Sequence, residues 1–167
     1  MWDSISTRLR HHPERLAVAR VLVENGLSAK NGRVFCNEIE IPTIRVARVA
    51  KVDRRTVIET LKMIANDPEL AQLFQQIRSA GLSLREIAKN LGLGVVEITA
   101  DDPRTIGILA SASSIIADAG ISIRQALVDD PELNPEPRLT LVTEKKIPGD
   151  TIAKILKVKG VEKVSVY

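Results

Sequence analysis

The amino-acid sequence predicts an α+β protein, with a helical N-terminal bundle followed by a C-terminal β-α-β-β-α-β arrangement. Three observations carry that reading. Apart from short extended pieces around a turn over 27–41, apolar residues recur at helical spacing as far as Gly92, and beyond Gly94 they shift to short alternating runs separated by single helices. Prolines, glycines and capping Asp or Ser residues fall at the boundaries between these segments. The charge divides at nearly the same point: residues 1–90 carry a net +5 and residues 91–167 a net −2, within a total of +3.

The composition bounds the function classes. A length of 167 residues suits one compact domain or two small ones. Hydrophobic residues at 44% and charged residues at 27% give the balance of a soluble globular protein. Aromatics at 2% leave the core to Leu, Ile, Val and Ala, and argue against an RNA-stacking surface. The single cysteine, Cys36, has no internal disulfide partner, so a reducing compartment is expected. No apolar run approaches the roughly 20 residues of a membrane span. Residues 1–16 lack the apolar core of a signal peptide. The expectation is a soluble, cytoplasmic protein without membrane contact.

The elements follow in order. A first helix is predicted over 13–25: Pro13 suits the first turn, Leu16, Ala19 and Val23 form one ridge, Val18 and Leu22 a second, and Gly26 stops it. Residues 27–41 hold an Asn31-Gly32 turn signal between short extended pieces. Helical spacing returns after Pro42 with Ile44, Ala47 and Ala50. It resumes after Asp53, a cap, with Val57, Leu61 and Ile64. Asp67-Pro68-Glu69 opens another helix that runs to Ala80. Ser83 and Glu86 form a capping-box pattern that predicts a helix ending near Gly92. Val95, Val96 and Ile98 then make a strand, and Asp102-Pro103 caps a long helix through Ala117 that Gly120 ends. Residues 121–127 alternate as a half-buried strand. A strand over 138–143, a helix over 149–157 and a strand over 161–167 complete the chain. This order of elements is the ferredoxin-like one, with helices covering one face of an antiparallel sheet.

Residues 46–61 resemble the helix-turn-helix family. Ala47 is the small residue inside the first helix, Val52 lies in the turn, Asp53 caps, and Thr56, Val57 and Leu61 match positions of the second helix. Lys51 stands where that family usually has glycine, because the turn residue tends toward positive φ. The resemblance implies that residues 54–65 form a recognition helix. It places Arg54, Arg55, Thr56 and Glu59 near base edges and phosphates, and Arg45, Arg48 and Lys51 on the flanking backbone. Over residues 30–62 basic residues outnumber acidic ones by eight to four. The alternative is a helical hairpin with the same packing whose arginines only meet solvent. Residues 84–93 resemble the first half of a second such motif, but no recognition helix follows, so they are read as a connecting helix.

Residues 94–167 resemble the ACT domain family. The carriers are Asp102-Pro103 after the first strand, Gly107-Ile108-Leu109 where the helix opens, Gly120-Ile121 entering the second strand, and Gly160-Val161 near the end. The division implied is 1–66 for the helix-turn-helix-like bundle, 67–93 for connecting helices and 94–167 for the sensing domain. The family implies regulation by a small metabolite, most often an amino acid, and side-by-side pairing into a homodimer. Its ligand sits between the first loop and helix start of one domain and the second strand of a partner. The candidate effector residues are thus Asp101, Asp102, Arg104, Thr105, Ile106, Gly107 and Ile108, with Ile123, Arg124 and Gln125 on the second strand. Free amides at the helix start can bind a carboxylate, and Gly107 permits close approach. Asp101 or Asp102 could pair with an ammonium group. Asp102 equally suits a plain N-cap, and Gly107 helix–sheet packing.

Nothing in the sequence composes a catalytic or metal site, so no enzyme activity, cofactor or metal is expected. His11 and His12 are adjacent and point to different helix faces, with no Cys or acid cluster to complete a site. Cys36 has no sequence-adjacent partner. Ser111, Ser113 and Ser114 lie within a helix and outside any nucleophile elbow, and Gly92-Leu93-Gly94 is too short for a dinucleotide fingerprint. The expected function is a ligand-responsive transcriptional regulator of amino-acid metabolism, binding DNA through the N-terminal half. Two other functions remain open: a regulatory protein that controls a metabolic enzyme by direct contact and never touches DNA, and a ligand carrier without an output partner.

Overall fold

In the computed structural model, which describes all 167 residues, the chain falls into two units, Met1–Gly81 and Leu82–Tyr167. The fold is α+β, with one antiparallel sheet in each unit. No helix is long and apolar enough to cross a membrane.

The first unit contains α1 (Trp2–Leu9), α2 (Pro13–Glu24), β1 (Leu27–Lys30), β2 (Arg33–Cys36) and β3 (Ile39–Ile41). It continues with α3 (Thr43–Ala50), α4 (Arg54–Asn66) and α5 (Pro68–Gln76). Helix α1 buries Trp2, Ile5 and Leu9, spaced on one stripe of its surface. Helix α2 contributes Val18, Ala19 and Leu22, all fully buried. Apolar burial of this kind contributes about 1.5–3 kcal/mol per large side chain. The exposed Arg20–Glu24 pair at 3.3 Å falls in a class that contributes about 0.3–0.5 kcal/mol. Packing therefore decides where α2 sits. Strands β1 and β2 meet through Asn31 and Gly32, at φ +51° and +73°, the two positive values a type I′ hairpin turn needs. Their register pairs Lys30 directly with Arg33. The Asp67 carboxylate caps α5, accepting from the amides of Glu69 and Leu70 at 3.0 and 3.1 Å. Arg8 of α1 pairs with it at 2.7 Å and also with Glu69. The Leu70 amide foremost, aided by Arg8, holds the Asp67 carboxyl below its ordinary range.

The second unit contains β4 (Gly94–Ala100), α6 (Ile108–Asp118), β5 (Ile123–Val128), β6 (Arg138–Thr143), α7 (Gly149–Ile155) and β7 (Val161–Val166). The sheet runs β5-β6-β4-β7, every neighbour antiparallel. Helices α6 and α7 cover one face, where Ala112, Ile116 and Ile155 pack on Val96, Ile98 and Leu141. The opposite face carries Val95 and Val142. It is covered at one end by Leu84, Ala88 and Leu93 of the segment that enters the sheet. The predicted order β-α-β-β-α-β is the observed one.

Three local expectations are corrected. The helix expected from Ser83 is absent: residues 83–92 form turns, with a single 3-10 turn over Ala88–Leu91. The cap from Ser83 Oγ to the Arg85 amide forms at 3.4 Å, but Glu86 pairs with the Arg85 side chain instead of returning to complete the box. Meanwhile the Gln125 side chain takes the Leu84 amide and the Leu82 carbonyl. The helix expected from Asp102 begins only at Ile108, because Gly107 at φ +94° stands outside a right-handed helix and serves as its N-cap. Asp102 instead closes a turn, its Oδ1 accepting from the Arg104 amide at 2.9 Å. Finally, α1 was not foreseen, although Trp2, Ile5 and Leu9 carry helical spacing.

Candidate functional site

Two groups of candidate residues lie in different units. In the first unit, α3 and α4 meet through a three-residue turn. Lys51 occupies the left-handed region at φ +55° and ψ +43°, taking the conformation for which glycine is the usual choice. The Val52 amide donates to the Ala47 carbonyl at 3.0 Å, and the Asp53 carboxylate accepts from the Arg55 amide at 2.7 Å. Val46, Ala47, Val57, Leu61 and Ile64 are buried between the helices and their neighbours. That packing leaves Arg45, Arg48, Lys51, Arg54 and Arg55 exposed. Thr56 and Glu59 are half-buried and bonded to neighbouring side chains. Thr56 Oγ1 donates to Glu14 at 3.3 Å, and Glu59 accepts from Arg15 and Arg55, each at 3.2 Å. These two side chains serve the α2–α4 contact, and the five cations form the solvent-facing set.

Arg54 Nε also donates to Thr43 Oγ1 at 3.2 Å. Beside it opens a groove of about 790 Å³, lined by Arg33, Glu40, Thr43, Ile44, Arg54 and Ile58. The sequence reading did not include Arg33 among the candidates.

In the second unit, the start of α6 borders a cavity of about 250 Å³. Thr105, Gly107 and Ile108 line it, together with Ile98, Leu109, Val128, Asp129, Arg138 and Leu139. Gly107 has no side chain to cap the helix, so the amides of the first turn have no side-chain cap. Asp129 was missed by the sequence reading. Its Oδ2 accepts from Asn134 Nδ2 at 3.0 Å and from the Arg138 amide at 3.2 Å, which leaves Oδ1 without a protein donor. Asp101, Asp102, Arg104 and Ile106 do not line this cavity. Asp101 borders a separate polar depression, and Ile106 is 98% exposed. Ile123, Arg124 and Gln125 lie at the far end of β5: Ile123 pairs with Thr143, whereas Val128, beside the cavity, pairs with Leu139. The candidates of loop and strand are therefore not brought together within one chain.

Gln125 is committed elsewhere. Its Oε1 accepts from the Leu84 amide at 2.8 Å and its Nε2 donates to the Leu82 carbonyl at 2.7 Å. The same strap of chain carries Arg85, which pairs with Glu97 of β4. Glu97 is 4% exposed and also accepts from Arg138 at 3.2 Å and from the Tyr167 hydroxyl at 3.3 Å. Burial works to raise the Glu97 carboxyl, but Arg85 and Arg138 outweigh it and hold the group below its ordinary range. A glutamate at the centre of an otherwise apolar run, Val95 to Ile98, was the signal for this cluster in the sequence.

No family model matches the chain, and no curated protein matches it. Among solved structures, it is similar to a transcriptional regulator of Neisseria meningitidis determined in complex with L-Met. The identity is 12%, over 92% of this chain and 86% of that one, with a TM-score of 0.26. A likeness of that size says nothing about function.

Proposed function

We propose that this protein is a ligand-responsive transcriptional regulator. In this reading, α3 and α4 act as a helix-turn-helix, and the second unit acts as an ACT-like sensor for an amino acid. The observation that carries it is the α3–turn–α4 pair. Val46, Ala47, Val57, Leu61 and Ile64 are buried, while Arg45, Arg48, Lys51, Arg54 and Arg55 all face solvent alongside Ile44 and Val49. Five exposed cations on one supersecondary element suit a polyanion, where each neutralised phosphate adds salt-dependent affinity. Thr56 and Glu59 act as supports that set the recognition helix against α2.

The sensing half of the reading rests on the α6 cavity. A ligand carboxylate meets the first-turn amides beyond Gly107, and Asp129 is the carboxylate that meets the ammonium, in place of Asp101 or Asp102. The strand edge of β5 exposes Leu127 and Val128, which suits pairing with a second copy of the chain. In such a homodimer Ile123 and Arg124 belong to the partner-facing edge. The protein has no catalytic task in this scheme.

The deciding experiment is a DNA titration of the full chain with and without Arg54→Ala plus Arg55→Ala. The double variant is expected to bind more weakly and with a shallower salt dependence, the log–log slope falling by about 2. Unchanged binding by the double variant removes α4 from the interface. Co-purification of one metabolic enzyme, with no salt-sensitive retention on DNA, replaces this reading with regulation by protein contact.

A further inference from the structure

The hairpin that joins β1 to β2 holds two cations in an arrangement that costs stability. Lys30 and Arg33 are direct cross-strand partners on either side of the Asn31-Gly32 turn. Like charges placed opposite each other in this way destabilise a hairpin. The strain is only partly relieved, by Glu40 at 3.2 Å from Arg33 and by the Phe35 ring, whose centroid lies 6.0 Å from Lys30 Nζ. The Arg33 side chain is 65% exposed, so no packing role accounts for it. The same Arg33 lines the 790 Å³ groove, as does Arg54, whose Nε donates to Thr43 Oγ1. Glu40 is the groove's one acid, and Arg33 already pairs with it.

We infer that this groove is a second contact with nucleic acid, in which the hairpin tip and the start of α4 grip the phosphodiester backbone of duplex DNA from two sides. The inference rests on the DNA-binding function proposed above and extends its surface to Lys30 and Arg33, which lie outside the helix-turn-helix. The occupant is set by charge. Arg33 and Arg54 line an open groove whose one acid is already paired, and Lys30 stands directly across the hairpin from Arg33, a set of cations that matches a chain of phosphates. These contacts carry no base information, so they add affinity equally for all sequences.

The test is a titration of the full-length protein with duplex DNA of mixed sequence, between about 50 and 200 mM salt. Arg33→Ala is expected to weaken binding about three- to tenfold and to lower the log–log salt slope by about 1, with Lys30→Ala adding a similar decrement. Glu40→Gln is expected to tighten binding. The melting midpoint of Arg33→Ala is expected to stay level or rise, since a like-charge pair is removed. The inference is overturned if Arg33→Ala and Lys30→Ala bind as the parent does while Arg48→Ala and Arg55→Ala bind more weakly. In that case the helix-turn-helix function stands and the hairpin plays no part in it. If the parent protein shows no salt-sensitive DNA binding, both fall together. If Arg33→Ala instead disrupts self-association and leaves DNA affinity intact, the groove is a protein contact and the inference is wrong.

Discussion

Single residues show how the sequence departs from general rules and what each departure requires. Lys51 departs from the turn glycine, and the structure gives it the positive φ all the same. A lone residue in that region costs about 1–2 kcal/mol, an amount the buried Val46, Ala47, Val57 and Leu61 readily exceed together. Glu97 departs from the apolar run around it and is held by Arg85, Arg138 and Tyr167. Its folded carboxyl lies below the unfolded value, so its contribution is complete above the ordinary glutamate pKa of about 4.3 and fades as pH falls through the folded value. Glu97→Gln is expected to lose about 2 kcal/mol at neutral pH and to flatten the acid limb of the stability curve. Urea unfolding at pH 7 and pH 3 checks this, and an acid limb as steep as the parent's would show that Glu97 is not its source.

At the level of elements, what could be read in advance depended on whether a segment's partners were local. Helix α4 was legible because Asp53 caps it and Val57, Leu61 and Ile64 repeat along it, all within a few turns. Strand β6 was legible from its bounding residues alone. The strap over 83–92 was not, because its Ser83 and Glu86 imitate a capping box while the groups that decide its path are Glu97 of β4 and, 41 residues beyond Leu84, Gln125 of β5. The start of α6 was misplaced for a related reason: Asp102-Pro103 has the chemistry of a cap, yet it spends that chemistry on Arg104 in a turn. Asp129 as a cavity residue was invisible, since only the pairing of Val128 with Leu139 brings it beside Gly107. The strap's dependence on Gln125 can be measured. Gln125→Ala is expected to speed hydrogen exchange at the Leu84 amide about tenfold or more, the effect of losing a net hydrogen bond or two. Exchange at the parent rate would mean that the apolar contacts of Leu84, Ala88 and Leu93 suffice to hold the strap.

For the whole molecule, the two units divide charge as well as structure. The exposed cations of α3 and α4 belong to Met1–Gly81, and the cavity beside α6 belongs to Leu82–Tyr167. A ligand for that cavity is detectable independently of the proposed DNA contact. At 100 times its Kd it adds about 2.7 kcal/mol, or roughly 5 to 10 °C in Tm for a chain of this size. A thermal screen of the twenty amino acids is expected to give a selective rise that Asp129→Asn abolishes. A flat screen at millimolar ligand would leave the second unit as a pairing module. The Gln125 amide has a further consequence within the second unit. It is a rigid plane whose two ends hold residues 82 and 84, the first steps of the chain beyond Gly81. A plane cannot release one end by turning and keep the other. Any event at β5 that rotates this one side chain would therefore free both residues at once, giving the first steps of the second unit the character of a toggle.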